Sequence, residues 1–219
     1  MATKNKYLKS FKDLRCGSEV IEAVRPVGDL KKELTESMGV LRTVKTPILK
    51  NPGVFSIIDI GAGHGLTGIL AAYTLPVKKV LAVDKKKQVK EGHKNVQKWD
   101  YIEYLLDENY LAFYNEIRKH VDPPYIIVAS HPCKDLARRC LGFTEWLNNN
   151  FPDMDESYAS ILLCCVGNLD SRSRRYGHVK MNTYALWANQ LLEEFAYTKS
   201  YRDESIISPA NIIIKSIGL

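Results

Sequence analysis

The sequence predicts an α/β fold with a doubly wound, mostly parallel sheet, and three observations carry that prediction. Short apolar runs such as Val-Phe-Ser-Ile-Ile-Asp-Ile and Tyr-Ile-Ile-Val-Ala alternate with stretches of helical period. Strands buried on both faces read as continuous apolar runs, so helices must cover both sides of their sheet. The first run leads into a loop carrying Gly61, Gly63 and Gly65, after which a helical pattern begins. The next run ends in an acid, Asp84, nineteen residues beyond Gly65.

Taken in order, residues 1–53 read as an N-terminal helical segment and 54–219 as the sheet domain. Helices are expected over 7–14 and 18–40, broken near Pro26 and Gly28, and Pro47, Pro52 and Gly53 punctuate the chain before the first strand. Residues 54–60 read as a strand, 66–74 as a helix and 80–83 as a second strand. A lysine-rich helix is then expected to about residue 98, a strand over 101–106 and a helix over 111–120. Pro123-Pro124 bounds a strand at 125–129. Leu136, Cys140, Phe143 and Leu147 then repeat at helical spacing. Residues 160–166 read as a strand. Tyr184, Trp187, Leu191 and Phe195 line one face of a helix over 182–199. Two final β-rich runs, 205–207 and 211–217, are expected to pair antiparallel at the end of the sheet.

Composition narrows the class. With 219 residues, 45% apolar and 26% charged, the chain can build a full core, which excludes disorder as its dominant state. No apolar run approaches the roughly 20 residues of a membrane-spanning helix. The first residues lead into no apolar stretch, so no secretory leader is expected. Five cysteines, two of them adjacent at Cys164 and Cys165, suit no disulfide framework and point to a reducing cytoplasm. Cys133, Cys140, Cys164 and Cys165 also lack metal-ligand spacing, so no metal is expected.

The loop chemistry selects a ligand class. A dinucleotide would bring a pyrophosphate to the helix N-terminus, where the carboxylate of Asp59 opposes it. S-adenosylmethionine carries no phosphate but has a cationic amine and a cationic sulfonium, for which the same acid is an asset. An acid at the tip of the second strand, Asp84, suits the two hydroxyls of a ribose.

At these residues the chain resembles the class I S-adenosylmethionine-dependent methyltransferases, over roughly residues 54–217. Their first motif, an acid, any residue, then Gly-x-Gly-x-Gly, is filled by Asp59, Gly61, Gly63 and Gly65, and their second by Asp84. The resemblance implies a Rossmann-like methyltransferase fold, with the first four residues holding the methionine moiety and Asp84 the ribose. Ser130-His131-Pro132-Cys133-Lys134-Asp135-Leu136 and the Cys164-Cys165 pair are similar to a smaller branch that includes eukaryotic transfer-RNA ribose methylases. Lys134 stands where that branch has glycine.

His131 is the candidate catalytic residue, since imidazole takes up a proton near neutral pH. The acceptor is an O or N nucleophile. RNA is suggested by net charge +6 and two basic groups, one of eight lysines between Lys78 and Lys98, the other of Arg172, Arg174, Arg175 and Lys180. Arg174 and Arg175 are the candidate substrate contacts. Small-molecule or protein methylation, a dinucleotide-dependent reductase and a non-catalytic RNA-binding module remain the alternatives.

Overall fold

Residues Ser56–Ile60 (β1) are buried along their whole length, because both faces of this strand are covered. Ile57 packs toward one layer of helices, Ile58 and Ile60 toward the other. This computed structural model describes residues 5–24, 27–86, 92–152, 156–163, 183–208 and 211–216. One helical layer is α1 (Lys6–Lys12), α2 (Gly17–Val24), α3 (Leu30–Lys50) and α4 (Leu66–Thr74). The other is α5 (Tyr110–Ile117), α6 (Leu136–Asn150) and α7 (Thr183–Glu194). Three helices have a side chain of the preceding loop accepting a first-turn amide: Asn5 for α1, Asp29 for α3 and Asn109 for α5.

The remaining strands are β2 (Val80–Asp84), β3 (Trp99–Glu103), β4 (Tyr125–Ala129), β5 (Tyr158–Leu162), β6 (Thr198–Arg202) and β7 (Ile212–Ser216). They form one sheet in the order β3-β2-β1-β4-β5-β7-β6. The first five are mutually parallel, and β7 runs antiparallel to both β5 and β6. The fold is α/β, a doubly wound and mostly parallel sheet with an N-terminal helical segment. Strand order reverses between β1 and β4, which opens a crevice beyond their carboxyl ends. Among the described residues no helix is long and apolar enough to cross a membrane.

Five expectations are corrected. Helix α3 runs on through Pro47 to Lys50, because the missing amide falls in the last turn while Val44 and Ile48 stay fully buried. The lysine-rich helix does not reach residue 98: Gly92–Asn95 is a single 3-10 turn, and β3 begins at Trp99, earlier than read. Its lysines supply no apolar stripe to hold a longer helix on the sheet. Helix α7 stops at Glu194, and Thr198 begins a strand. That strand, β6, and not residues 205–207, is the antiparallel partner of β7. An edge strand needs only one partner and carries charge, here Lys199 and Arg202, which conceals it in the sequence.

Candidate active site

The glycine loop joins β1 to α4, and the helix begins without a capping side chain of its own. Gly65 occupies the N-cap in the left-handed region, φ +75°, and contributes no side chain. Asp59, near the end of β1, supplies the cap instead: its Oδ2 accepts the Gly68 amide at 2.9 Å. A Cβ on Gly65 would stand 2.8 Å from Trp99 Cζ2, so the close approach of β3 to this loop also requires glycine. Gly63 differs. Its φ of +53° favours glycine, but a Cβ there would meet nothing within 4 Å. It faces open space.

That space is a cleft of about 550 Å³ at the switch point, lined by Gly61, Gly63 and Asp84 on one side and by His131, Lys134 and Arg139 on the other. The structure thus brings four of the expected residues to one place. Asp59 and Gly65 lie beneath the cleft rather than in its wall. Asp84 spans the rim, its Oδ2 accepting the Gly63 amide and its Oδ1 the Lys86 amide, each at 3.0 Å. Asp59 is 1% exposed, and its Oδ1 has no hydrogen-bond partner among the described residues. Burial pushes its pKa up to about 7, against the pull of the Gly68 amide and of His131, with Asp84 adding to the rise.

His131 follows β4, and its Nε2 lies 3.1 Å from Oε2 of Glu36. This carboxylate holds the imidazole above its ordinary pKa, with burial opposing. Glu36, on α3, was not among the expected site residues, although the sequence carried a signal. It heads the row Glu36, Val40, Val44, Ile48, in which a carboxylate interrupts an otherwise apolar face. Lys134 and Arg139 were likewise missed as cleft residues; lone cations in a loop and on a helix carry no pattern.

The lysine group divides. Lys85 and Lys86 line the cleft. Lys78 and Lys79 precede β2, at the opposite end of the sheet, and meet Asp122 at 2.9 Å and Asp100 at 3.6 Å. They are not part of one basic patch with the cleft lysines. Lys87, Lys90, Cys164, Cys165, Arg172, Arg174, Arg175 and Lys180 lie outside the described residues.

No family model matches the chain, and no curated protein is significantly similar to it. Solved structures are similar to it at low identity. The plantazolicin methyltransferase BpumL, in complex with a triazolic desmethylPZN analog and SAH, is 14% identical with TM-score 0.45, covering 96% of this chain and 94% of that one. Precorrin-6y C5,15-methyltransferase from Geobacter metallireducens is 14% identical with TM-score 0.42, covering 80% and 86%. The methyltransferase domain of bacterial CtHen1 is 13% identical with TM-score 0.40, covering 83% and 98%.

Proposed function

We propose that this chain is an S-adenosylmethionine-dependent methyltransferase acting on an O or N nucleophile, with RNA as the acceptor. The observation that carries the reading is the capping of α4 by Asp59. A pyrophosphate would need the free amides of that helix N-terminus. One of them, that of Gly68, is already taken by the Asp59 side chain and is not free for a phosphate oxygen. A cofactor with a cationic amine and no phosphate meets the opposite situation: Asp59 Oδ1 is buried and unpartnered, and the Gly63 side of the cleft is open.

In this reading the loop from Gly61 to Gly65, with Asp59 beneath it, holds the methionine moiety, and Asp84 holds the ribose. The bound cofactor supplies a methyl group on an electron-poor sulfur. What the protein must add is alignment of the acceptor and removal of its proton, and His131 in the cleft wall is the group for the second task. Lys85, Lys86 and Lys134 give the same cleft a cationic rim suited to phosphates, and Arg174 and Arg175 follow in sequence from β5, whose carboxyl end is at that edge.

Equilibrium titration with S-adenosylmethionine and with NADPH tests the cofactor. Saturable binding of the first alone is expected; binding of the second alone would overturn the reading. Asp84→Ala should weaken S-adenosylmethionine by about 2 kcal/mol, roughly thirtyfold, through loss of charge-assisted bonds to the ribose. For the acceptor, RNA affinity should fall steeply with salt, the log–log slope growing by about 0.7 per phosphate neutralised on a single strand. Arg174→Glu with Arg175→Glu should flatten that slope and leave cofactor affinity alone. Absence of RNA binding at low salt would shift the acceptor to a metabolite or a protein.

A further inference from the structure

Glu36 is a buried carboxylate that the reading above leaves without a role. Its side chain is 1% exposed, on the face of α3 that packs against the sheet, in the same row as Val40, Val44 and Ile48. A carboxylate taken out of water is costly unless it is paired, and an apolar side chain would serve a purely structural face better. Neither carboxylate oxygen makes a hydrogen bond among the described residues, and each instead faces a basic nitrogen at ion-pair distance. Oε2 lies 3.1 Å from Nε2 of His131, and Oε1 lies 3.8 Å from the half-exposed Lys32 ammonium. The side chain of the preceding residue, Ser130, is held separately, by a chain of hydroxyls from Ser37 to Thr67 at 2.9 Å and on to Ser130 at 2.5 Å. Ser130 is therefore held without Glu36, and the carboxylate faces the imidazole ring itself.

We propose that Glu36 is the positioning residue of the acceptor base: it holds Nε2 of His131, commits Nδ1 to take the acceptor's proton, and so makes α3 part of the active site. The proposal rests on the methyl-transfer reading. The step balances: the acceptor X–H gives its proton to Nδ1, the X–C bond forms, and the C–S bond breaks with its electron pair left on sulfur. The resulting imidazolium is the species that Glu36 stabilises. Glu33 and Lys32 on α3 also act on the ring, as does Asp59, while Asp84, Lys134 and Asp135 line the same cleft.

The test combines histidine NMR titration with single-turnover kinetics. In the wild type, His131 should titrate above the ordinary histidine range, and in Glu36→Gln its midpoint should fall back toward that range. Transfer of tritiated methyl from S-adenosylmethionine to a mixture of unmodified transfer-RNA transcripts should slow about tenfold to a hundredfold in Glu36→Gln, less than on loss of the base itself. The pH–rate limb should move to lower pH, cofactor affinity should stay within about twofold, and Glu36→Gln should add nothing to His131→Gln. If Glu36→Gln fails to fold, Glu36→Met fills the same volume without the charge and should give the same titration shift. An unmoved His131 midpoint, an unchanged rate or multiplicative losses in the double variant would overturn the proposal. Wild-type protein that binds the cofactor but methylates none of the transcripts would overturn the RNA reading instead, and the titration would then decide the role of Glu36.

Discussion

His131→Gln is expected to lower methyl-transfer turnover by about 10²–10⁴-fold, roughly 3–5 kcal/mol in the barrier, while S-adenosylmethionine binds as before. Glutamine is the informative replacement because its amide can still donate to Glu36, which keeps the buried carboxylate partnered. His131→Ala removes the partner and leaves the buried Glu36 carboxylate without it, which lowers stability. Loss of turnover in the alanine variant alone would therefore report folding, not chemistry. The wild-type rate should rise with pH, since only neutral imidazole accepts a proton. The rise should fall above the ordinary histidine range, because the Glu36 carboxylate favours the protonated ring. Thermal unfolding of both variants, cofactor calorimetry and a pH–rate profile separate the cases. Unchanged turnover in a folded His131→Gln variant would remove His131 from the chemistry.

The parts of the site that were legible in the sequence are those in which one short segment does the work. Asp59 near the end of β1 leads straight into the turn of Gly61, Gly63 and Gly65, and Asp84 ends the next strand, so spacing alone places them together. The distinct jobs of the glycines were not legible. Gly63 faces an open cleft, whereas Gly65 is excluded from any other identity by Trp99, thirty-four residues later and on another strand. Glu36 was illegible for a similar reason. Its partner lies across the fold, and a glutamate on a helix reads as solvated unless the row it heads is noticed. The central strands declared themselves by continuous apolar runs, and α4 and β4 begin and end where their patterns predict. The edge strand β6 did not, because a strand with one free side is allowed the polar composition of a loop or of a helix end. The eight lysines are one group only in the sequence: residues before a parallel strand and residues after it lie at opposite ends of the sheet.

Asp59 should make the protein without cofactor about 4 kcal/mol less stable above neutral pH than in acid, because burial raises its pKa from 3.8 to about 7. The native state holds a proton that the unfolded chain has already released. That stabilisation is complete below the unfolded value of 3.8, declines as pH rises, and is gone once pH passes about 7. Asp59→Asn keeps an oxygen for the Gly68 amide but cannot ionise. Urea unfolding at intervals between about pH 5 and pH 8 should therefore find the variant gaining on the wild type as pH rises. A difference between the two that does not change with pH would sink the argument. Cofactor binding should run the other way. A cationic amine beside Oδ1 favours the ionised carboxylate, so S-adenosylmethionine affinity should increase through neutrality and binding should release a proton, measurable as a dependence of the binding heat on buffer ionisation. Asp59→Asn should lose both the affinity and its pH dependence. Helix capping alone predicts a variant that is stable and still binds, since asparagine caps as well as aspartate. A ligand role predicts a variant that is more stable at neutral pH and binds poorly, because the charge that destabilises the empty protein is the charge the cofactor requires.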